Sequence, residues 1–407
     1  MNNEAQITSN KKYTIKVLKL ALNNGGVKPP SALKRGELIA LFVGSGGVID
    51  KDGTLFLKNT TEPEIKFQKP ILKWVGGKTQ IIQTLVKYFP PEMENYHELF
   101  LGGGSVLLAL LTLRREDKIK INGKVYAYDF NEALINVYKN IQTNKEELFE
   151  TLSQYIKTYD GIKSNEYPPP PPPPPPPQEG VEEILLENTS PSTSPLTPPP
   201  TPPLPINRKP KDIAEALLKK ENYYYWLRAE YNKKYKDTNK DAVDCSALFI
   251  FINKTCFRGM YREGPNGYNV PYGHYKKTPT FITKSELDKV SDLIEDVEFI
   301  HQSFEESFEN IKAHDFVYLD PPYAPENSKS FVGYVADGFD LKTHQNLFER
   351  TKDLDKKNSK FIMSNAKVEL VTESFPKAEY KIIDVTARRA INAKNPDATT
   401  TEVFIMN

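Results

Sequence analysis

The sequence predicts an α/β fold, an open and largely parallel sheet with helices on both faces, into which a mainly helical segment carrying a β-hairpin is inserted. Three observations lead there. A short apolar run, Phe316-Val317-Tyr318-Leu319, ends abruptly in Asp320-Pro321-Pro322-Tyr323, the pattern of a buried parallel strand opening into a rigid loop. A second strand, Tyr96 to Phe100, runs into the glycine turn Gly102-Gly103-Gly104 and the apolar helix Val106 to Leu113. A third, Lys124 to Tyr128, stops at Asp129, where such sheets place an acid for ribose hydroxyls.

With 407 residues, 39% of them hydrophobic, the chain holds two to three domains and at least one sizeable core. Its longest apolar stretches, Val106 to Leu111 and Ala247 to Ile252, are too short to span a bilayer, and the polar N-terminus carries no signal peptide. Two cysteines, Cys245 and Cys256, form neither a disulfide framework nor a metal cluster and point to a reducing compartment. A cytoplasmic protein is expected, or a nuclear one in a eukaryotic or viral host. The net charge of +1 conceals segregation: residues 1–80 carry 13 basic against 6 acidic side chains, residues 211–285 carry 14 against 8, and residues 286–320 carry 2 against 11. Two basic segments on a neutral chain fit a groove for a polyanion; solvated charged faces are the plainer alternative.

In chain order, a polar tail (1–10) precedes two short helices, Tyr13 to Ala21 and Lys34 to Phe42. Ile15, Leu18, Leu22 and Leu38, Ile39, Phe42 form their buried faces, and Lys16, Lys19, Lys34 and Arg35 lie outside. In spacing and in its Leu-rich first helix, the 11–47 segment resembles a SAP-type DNA-binding module; a helical hairpin packed on the main domain is the other reading. Residues 48–66 read as a linker, or as a small hairpin around Lys51-Asp52-Gly53.

The main α/β domain starts at residue 67, and its first part runs to residue 163. In Lys73-Trp74-Val75-Gly76-Gly77-Lys78 a flat apolar ring and a cation flank a Gly-Gly turn beside a helix start. That combination suits a ligand with a ring or thioether at one end and a carboxylate at the other. Strand, glycine turn, helix, strand and Asp129 then follow in the order of a Rossmann-like sheet that binds an adenosine-type cofactor. Asn131 opens a helical stretch that runs to Tyr159. Between 164 and 210 the pattern fails: 19 of the chain's 33 prolines fall there, ten of them consecutive from Pro168 to Pro177. This reads as an extended, disordered surface insertion, with SH3 or WW domains as the partners its composition would dock.

Helical pattern returns from Ile213 and leads, in the 211–285 segment, to a hairpin with its turn at Pro265-Asn266-Gly267. Lys254, Arg258, Tyr261, Arg262, Asn269, Lys276 and Lys277 interleave cations and aromatics around it, as a surface that contacts phosphates and stacks on bases does. An edge hairpin with solubilising lysines is the bland reading. The second part of the main α/β domain (286–407) supplies the 315–320 strand, a helix near Leu341 to Leu354, the strand Lys360 to Asn365, and a final antiparallel pair around Tyr380 to Thr386 and Thr401 to Met406. Seven strands are expected in all.

Together, Lys73-Trp74 to Lys78, Phe100-x-Gly102-x-Gly104, Asp129, the Asn253 to Gly273 region, Asp320-Pro321-Pro322-Tyr323 and Ser364-Asn365 resemble the Dam-type, alpha-group adenine-N6 DNA methyltransferases. The resemblance covers 67–165 and 211–407. It implies S-adenosylmethionine held by Trp74, Gly76, Gly77, Lys78, Phe100, Gly102, Gly104, Asp129 and Asp320. It implies duplex DNA as substrate, no metal, and catalysis by Asp320, Pro321, Pro322 and Tyr323. Asp320 and the Pro321 carbonyl would accept from the target amine while Tyr323 stacks on the flipped base. It also implies a GATC-like site and, in restriction-modification systems, a cognate nuclease. The N-terminal 66 residues and the 164–210 insertion have no counterpart in the compact members. An amino methyltransferase for RNA or protein glutamine, and a DNA-binding scaffold without catalysis, are the competing functions. Arg262, just before the turn, is placed to grip guanine O6 and N7. Arg262→Ala is expected to relax preference at one base and leave cofactor binding intact; unchanged site preference on randomised duplexes would contradict this.

Overall fold

The computed structural model describes residues 7, 12–24, 27–30, 32–45, 47–49, 55–57, 65–162, 209–236, 240–275, 277–325, 339–388 and 399–407. The N-terminal tail apart from Ile7, the Lys51-Asp52-Gly53 turn, nearly all of the proline-rich insertion and Lys276 lie outside the described residues. The chain forms two compact units, Met1–Phe67 and Gln68–Asn407.

In the first unit, α1 (Ile15–Asn24) and α2 (Arg35–Gly44) pack on a ribbon of β1 (Gly47–Ile49) antiparallel to β2 (Leu55–Leu57). Leu18, Ala21, Leu22, Leu38, Ile39, Phe42 and Leu55 form its core. Ile15, expected inside, is exposed, because α1 begins there and its buried stripe starts one turn later at Leu18. Arg35, expected outside, is half-buried and donates from Nε to the Tyr13 carbonyl (3.0 Å) and from its guanidinium to that of Ile7 (2.9 Å).

In the second unit the strands are β3 (Tyr96–Glu98), β4 (Val125–Asp129), β5 (Val297–His301), β6 (Phe316–Leu319), β7 (Lys360–Ala366), β8 (Lys381–Arg388) and β9 (Thr399–Met406). They form one sheet in the order β8-β9-β7-β6-β3-β4-β5. The pairs β7-β6-β3-β4-β5 are all parallel, and β9 is antiparallel to both β7 and β8. So β8 points the same way as the parallel strands and β9 is reversed, and the two close the sheet as an antiparallel pair, as the sequence suggested. β5 was not foreseen. Its alternation puts Val297 and Phe299 inside and Glu298 outside, but it lies in the most acidic stretch of the chain.

From β3 the chain moves one way through β4 to β5 and, from β6, the other way through β7, which makes the β3/β6 boundary the topological switch point. Register brings Glu98 opposite both Tyr318 and Ala127, so Glu98, Asp129 and Asp320 share one edge, at the carboxyl ends of three neighbouring strands. Below them one face packs Val317, Leu319, Phe361, Met363, Val403 and Ile405 against Phe348 and Phe375, and α9 (Leu341–Lys356) covers that side.

The helix α3 (Ser105–Arg115) is apolar nearly all round and buries Val106 to Leu111, as expected of a helix tucked against the sheet. The helices α4 (Glu132–Thr143) and α5 (Lys145–Gly161) follow, with the Asn131 side chain accepting from the Leu134 N–H at 3.1 Å to start α4. The 211–285 segment contributes α6 (Lys220–Lys236) and α7 (Val243–Thr255), and α7 packs against both α5 and α6 in the same compact unit. A short hairpin, Glu263–Gly264 with Gly267–Tyr268, follows α7, and α8 (Lys284–Leu293) returns the chain to the sheet. Among the described residues no helix is long and apolar enough to cross a membrane.

Gly104, the residue before α3, has φ +71°, and a Cβ there would run into the Tyr138 hydroxyl, which donates to the Gly103 carbonyl at 2.7 Å. Gly104→Ala is therefore expected to cost at least about 2 kcal/mol, from left-handed strain plus the collision. Urea melts of the full chain check this, and an unchanged midpoint would contradict it.

Candidate active site

The site is built on the switch-point crevice. Lys78 is almost fully buried, and its ammonium lies 2.7 Å from Asp320 Oδ2 and 2.7 Å from the Gly76 carbonyl it donates to. Its backbone N–H donates to Ser105 Oγ (3.1 Å), which ties the Gly76-Gly77 turn to the first residue of α3. The sequence cast Lys78 as a cation for a ligand carboxylate; in the structure the ammonium is engaged by Asp320.

Glu98 is the acid that sequence reasoning passed over. It lies buried in β3 and accepts from the Tyr96 hydroxyl at 2.7 Å. Burial, with the negative charges of Asp320 and Asp129 beside it, holds its carboxyl well above the ordinary glutamate range. Burial raises Asp320 as well, and the Lys78 cation only partly opposes this. Asp129 is also raised by burial, against backbone N–H donors from Asn131 (2.8 Å) and Gly102 (2.9 Å). Three carboxyl groups and one ammonium thus share the crevice, an environment that favours a cationic guest.

Around this cluster, Trp74 lies over the glycine turn: a Cβ on Gly102 would sit 3.0 Å from Trp74 Cδ1, and one on Gly103 2.9 Å from Trp74 Cβ. The other partner of Trp74 is Tyr261, with ring centroids 5.5 Å apart. The preceding residue, Lys73, is clamped to α7, since its N–H donates to Asn253 Oδ1 and its carbonyl accepts from Asn253 Nδ2, both at 2.8 Å. Phe100 packs against Phe304 and Phe339, and Phe130, next to Asp129, is 79% exposed at the crevice edge.

Beyond Asp320, Pro321 is buried and Pro322 exposed. The Tyr323 hydroxyl donates to Glu402 Oε2 at 2.8 Å, and the Lys78 ammonium lies 5.0 Å from the Tyr323 ring centre. The Ala324 N–H donates to Asn365 Oδ1 at 3.0 Å, pinning the end of the loop to β7. Asn365 belonged to a motif singled out in the sequence, whereas Glu402 did not.

The expected DNA-contacting residues divide. Arg258 is exposed at φ +57° with its guanidinium over the Phe257 ring, and Lys277 is exposed. Arg262 Nε donates to Asn269 Oδ1 at 2.6 Å, so these two act as one unit across the hairpin. Tyr261 instead turns its ring to Trp74 and its hydroxyl to Glu263. Lys254 is half-buried, and burial beside Lys73 pulls its ammonium down to about 8.

The switch-point crevice thus combines an acid at the tip of β4 with Asp-Pro-Pro-Tyr at the end of β6, on either side of β3. Residues 74–167 and 206–391 match the model of the D12 class N6 adenine-specific DNA methyltransferase family. The chain is 30% identical over 334 residues to the type II methyltransferase M.MjaIII of Methanocaldococcus jannaschii, covering 80% of this chain and 93% of that protein. It is 24% identical to the type II methyltransferase M1.LlaDCHI of Lactococcus lactis (83% and 95% covered) and 23% identical to the DNA adenine methylase of Escherichia coli K12 (81% and 91%). The chain belongs to the D12 class of N6 adenine-specific DNA methyltransferases, and it methylates adenine in DNA.

The folded chain holds the Glu98 proton more tightly than the unfolded chain does, so stability from this group is full below the ordinary glutamate range and is lost as pH rises. Glu98→Gln, which keeps an acceptor for Tyr96, is expected to raise the melting temperature at pH 7 by roughly 2–4 °C and to flatten its fall as pH rises above the ordinary glutamate range. A melting curve with the wild-type pH slope would contradict this.

Proposed function

We propose that this enzyme transfers the methyl group of S-adenosylmethionine to N6 of an adenine flipped out of duplex DNA, at a GATC-like site. The observation that carries the proposal is the juxtaposition of the Lys78–Asp320 pair with Tyr323 and with the Glu98 and Asp129 carboxyls in one crevice. The residues present fit such a donor. Its sulfonium and ammonium charges match an acid-rich crevice, and the Asp129 carboxylate, which accepts backbone N–H groups from Gly102 and Asn131 and also from Phe130, has one of its four lone pairs left for a ribose hydroxyl. Trp74, Gly76, Gly77, Phe100, Gly102 and Gly104 would wall the donor, with the exposed Phe130 ring offering an apolar face beside Asp129. When bound, the donor supplies an electrophilic methyl group.

The chain's own residues then make the amine nucleophilic. An adenine amino lone pair is delocalised into the ring, so the amine attacks poorly until acceptors on both N–H groups draw the nitrogen toward a tetrahedral geometry. Asp320 Oδ and the Pro321 carbonyl serve as those acceptors. The prolines fix the loop's φ angles and so reduce the freedom lost on binding. A carboxyl held above its ordinary range is also suited to take up the proton released from N6. Holding amine and methyl in line contributes about 7–11 kcal/mol. Tyr323 stacks on the extruded base, whose removal from the duplex costs a few kcal/mol.

The Arg262–Asn269 unit and Arg258 are assigned to site reading and phosphate contact, and the N-terminal unit, with Lys12, Lys16 and Lys34 exposed, to auxiliary DNA contact. The type II names of two relatives make a cognate nuclease the partner to seek. Asp320→Ala is expected to lower N6-methyladenine formation by at least about a thousandfold, measured by nucleoside mass spectrometry of treated DNA. Turnover within tenfold of wild type would overturn the assigned role.

A further inference from the structure

The sheet's reversed strand brings a second acidic residue to the reactive loop. β9 is the one strand that runs against β7 and β6, so its beginning, not its end, lies at the carboxyl edge of the sheet where Asp320 and Tyr323 sit. Glu402, in the first half of β9, is opposite Ala366 on β7 and Val385 on β8. Its neighbour Val403, with Ile405, points into the core beside Val317 and Leu319, so Glu402 points to the other face, toward the loop. There it accepts the Tyr323 hydroxyl proton at 2.8 Å across a separation of 79 residues in the chain. Among the described residues no lysine or arginine pairs with Glu402; the nearest cation of the site, Lys78, is held by Asp320. Glu402 is half-buried, and the Tyr323 hydroxyl is the hydrogen-bond donor that meets its side chain there.

We infer that Glu402 is a positioning residue for methyl transfer: it fixes the orientation of the Tyr323 ring through the phenol hydroxyl, so that the ring is preset as a platform for the extruded adenine. The inference rests on the proposed stacking role of Tyr323. Three contacts define that ring before any base arrives. The Ala324 N–H bound to Asn365 holds its backbone, the Lys78 ammonium lies toward its face, and Glu402 anchors its far end. Two of these act through the main chain or the ring, so Glu402 is the contact among the three that holds the phenol end, with the Asp320 carboxyl beside it. Ordering the ring in the free enzyme removes a freedom that would otherwise be lost during base capture.

The test compares full-length Glu402→Ala, Glu402→Gln, Tyr323→Phe, the double variant Glu402→Ala/Tyr323→Phe, and Tyr323→Ala. Readouts are single-turnover methylation, donor affinity, thermal stability, and fluorescence of a duplex bearing 2-aminopurine at the methylated adenine. Glu402→Ala is expected to slow methyl transfer on the order of tenfold, the size of one charge-assisted hydrogen bond, with donor affinity unchanged and 2-aminopurine less quenched by stacking. Glu402→Gln, which keeps an acceptor oxygen, should recover most of the rate, and the double variant should be no slower than Tyr323→Phe. Multiplicative losses in the double variant, or wild-type rate and fluorescence in Glu402→Ala, would overturn the inference. Tyr323→Ala separates the two levels. If it too leaves rate and fluorescence unchanged, the stacking reading fails; if it is defective while Glu402→Ala is not, the stacking reading stands and the positioning role falls.

Discussion

A lysine ammonium 2.7 Å from a buried aspartate, at the point where the sheet changes direction, is the contact on which the rest of this site depends. Three carboxyl groups, Glu98, Asp129 and Asp320, converge there because the register of β3, β4 and β6 leaves no alternative. Without a cation among them, burial would drive protons onto all three and remove the acceptors the chemistry needs. Lys78 supplies that cation from a loop rather than from the sheet. Its position in turn requires the Gly76 carbonyl, the Ser105 hydroxyl at the start of α3, and the Asn253 clamp on Lys73. The ion pair is thus the meeting point of sheet, glycine turn and inserted helices.

That clamp also links two functions. Asn253 closes α7, and the chain then runs through Arg258 and Tyr261 to the Arg262–Asn269 unit of the hairpin. Tyr261 lies against Trp74, which lies over Gly102. The segment assigned to DNA reading therefore packs directly on the walls of the crevice assigned to the methyl donor, with no separate domain between them.

Much of this was legible in the sequence, and the exceptions have physical causes. The strands ending in Asp129 and Asp320 and the glycine turn were readable because a buried parallel strand is a short apolar run whose end must be punctuated by special residues. The hairpin turn at Pro265-Asn266 announced itself by composition. The strand Val297–His301 did not, because an edge strand buried on one face carries its apolar residues singly among acids. Glu98 was hidden inside an apolar pattern, and its environment depends on register with two strands distant in sequence. Glu402 meets Tyr323 only because β9 reverses, and a contact across 79 residues leaves no local signature. Ile15 and Arg35 exchanged their expected environments because α1 starts two residues later than periodicity alone indicated.

In the proposed mechanism Asp320 acts as a carboxylate whose state is set by burial on one side and by Lys78 on the other. The pH dependence of single-turnover methylation at saturating donor tests this most directly. Burial raises Asp320 and Lys78 opposes that rise, so activity should fall with decreasing pH along a limb lying above the ordinary aspartate value of about 3.9. Lys78→Met should move that limb to still higher pH, and Lys78→Arg should leave it near the wild-type position. A limb that stays in place, or moves to lower pH, when the Lys78 charge is removed would contradict the account.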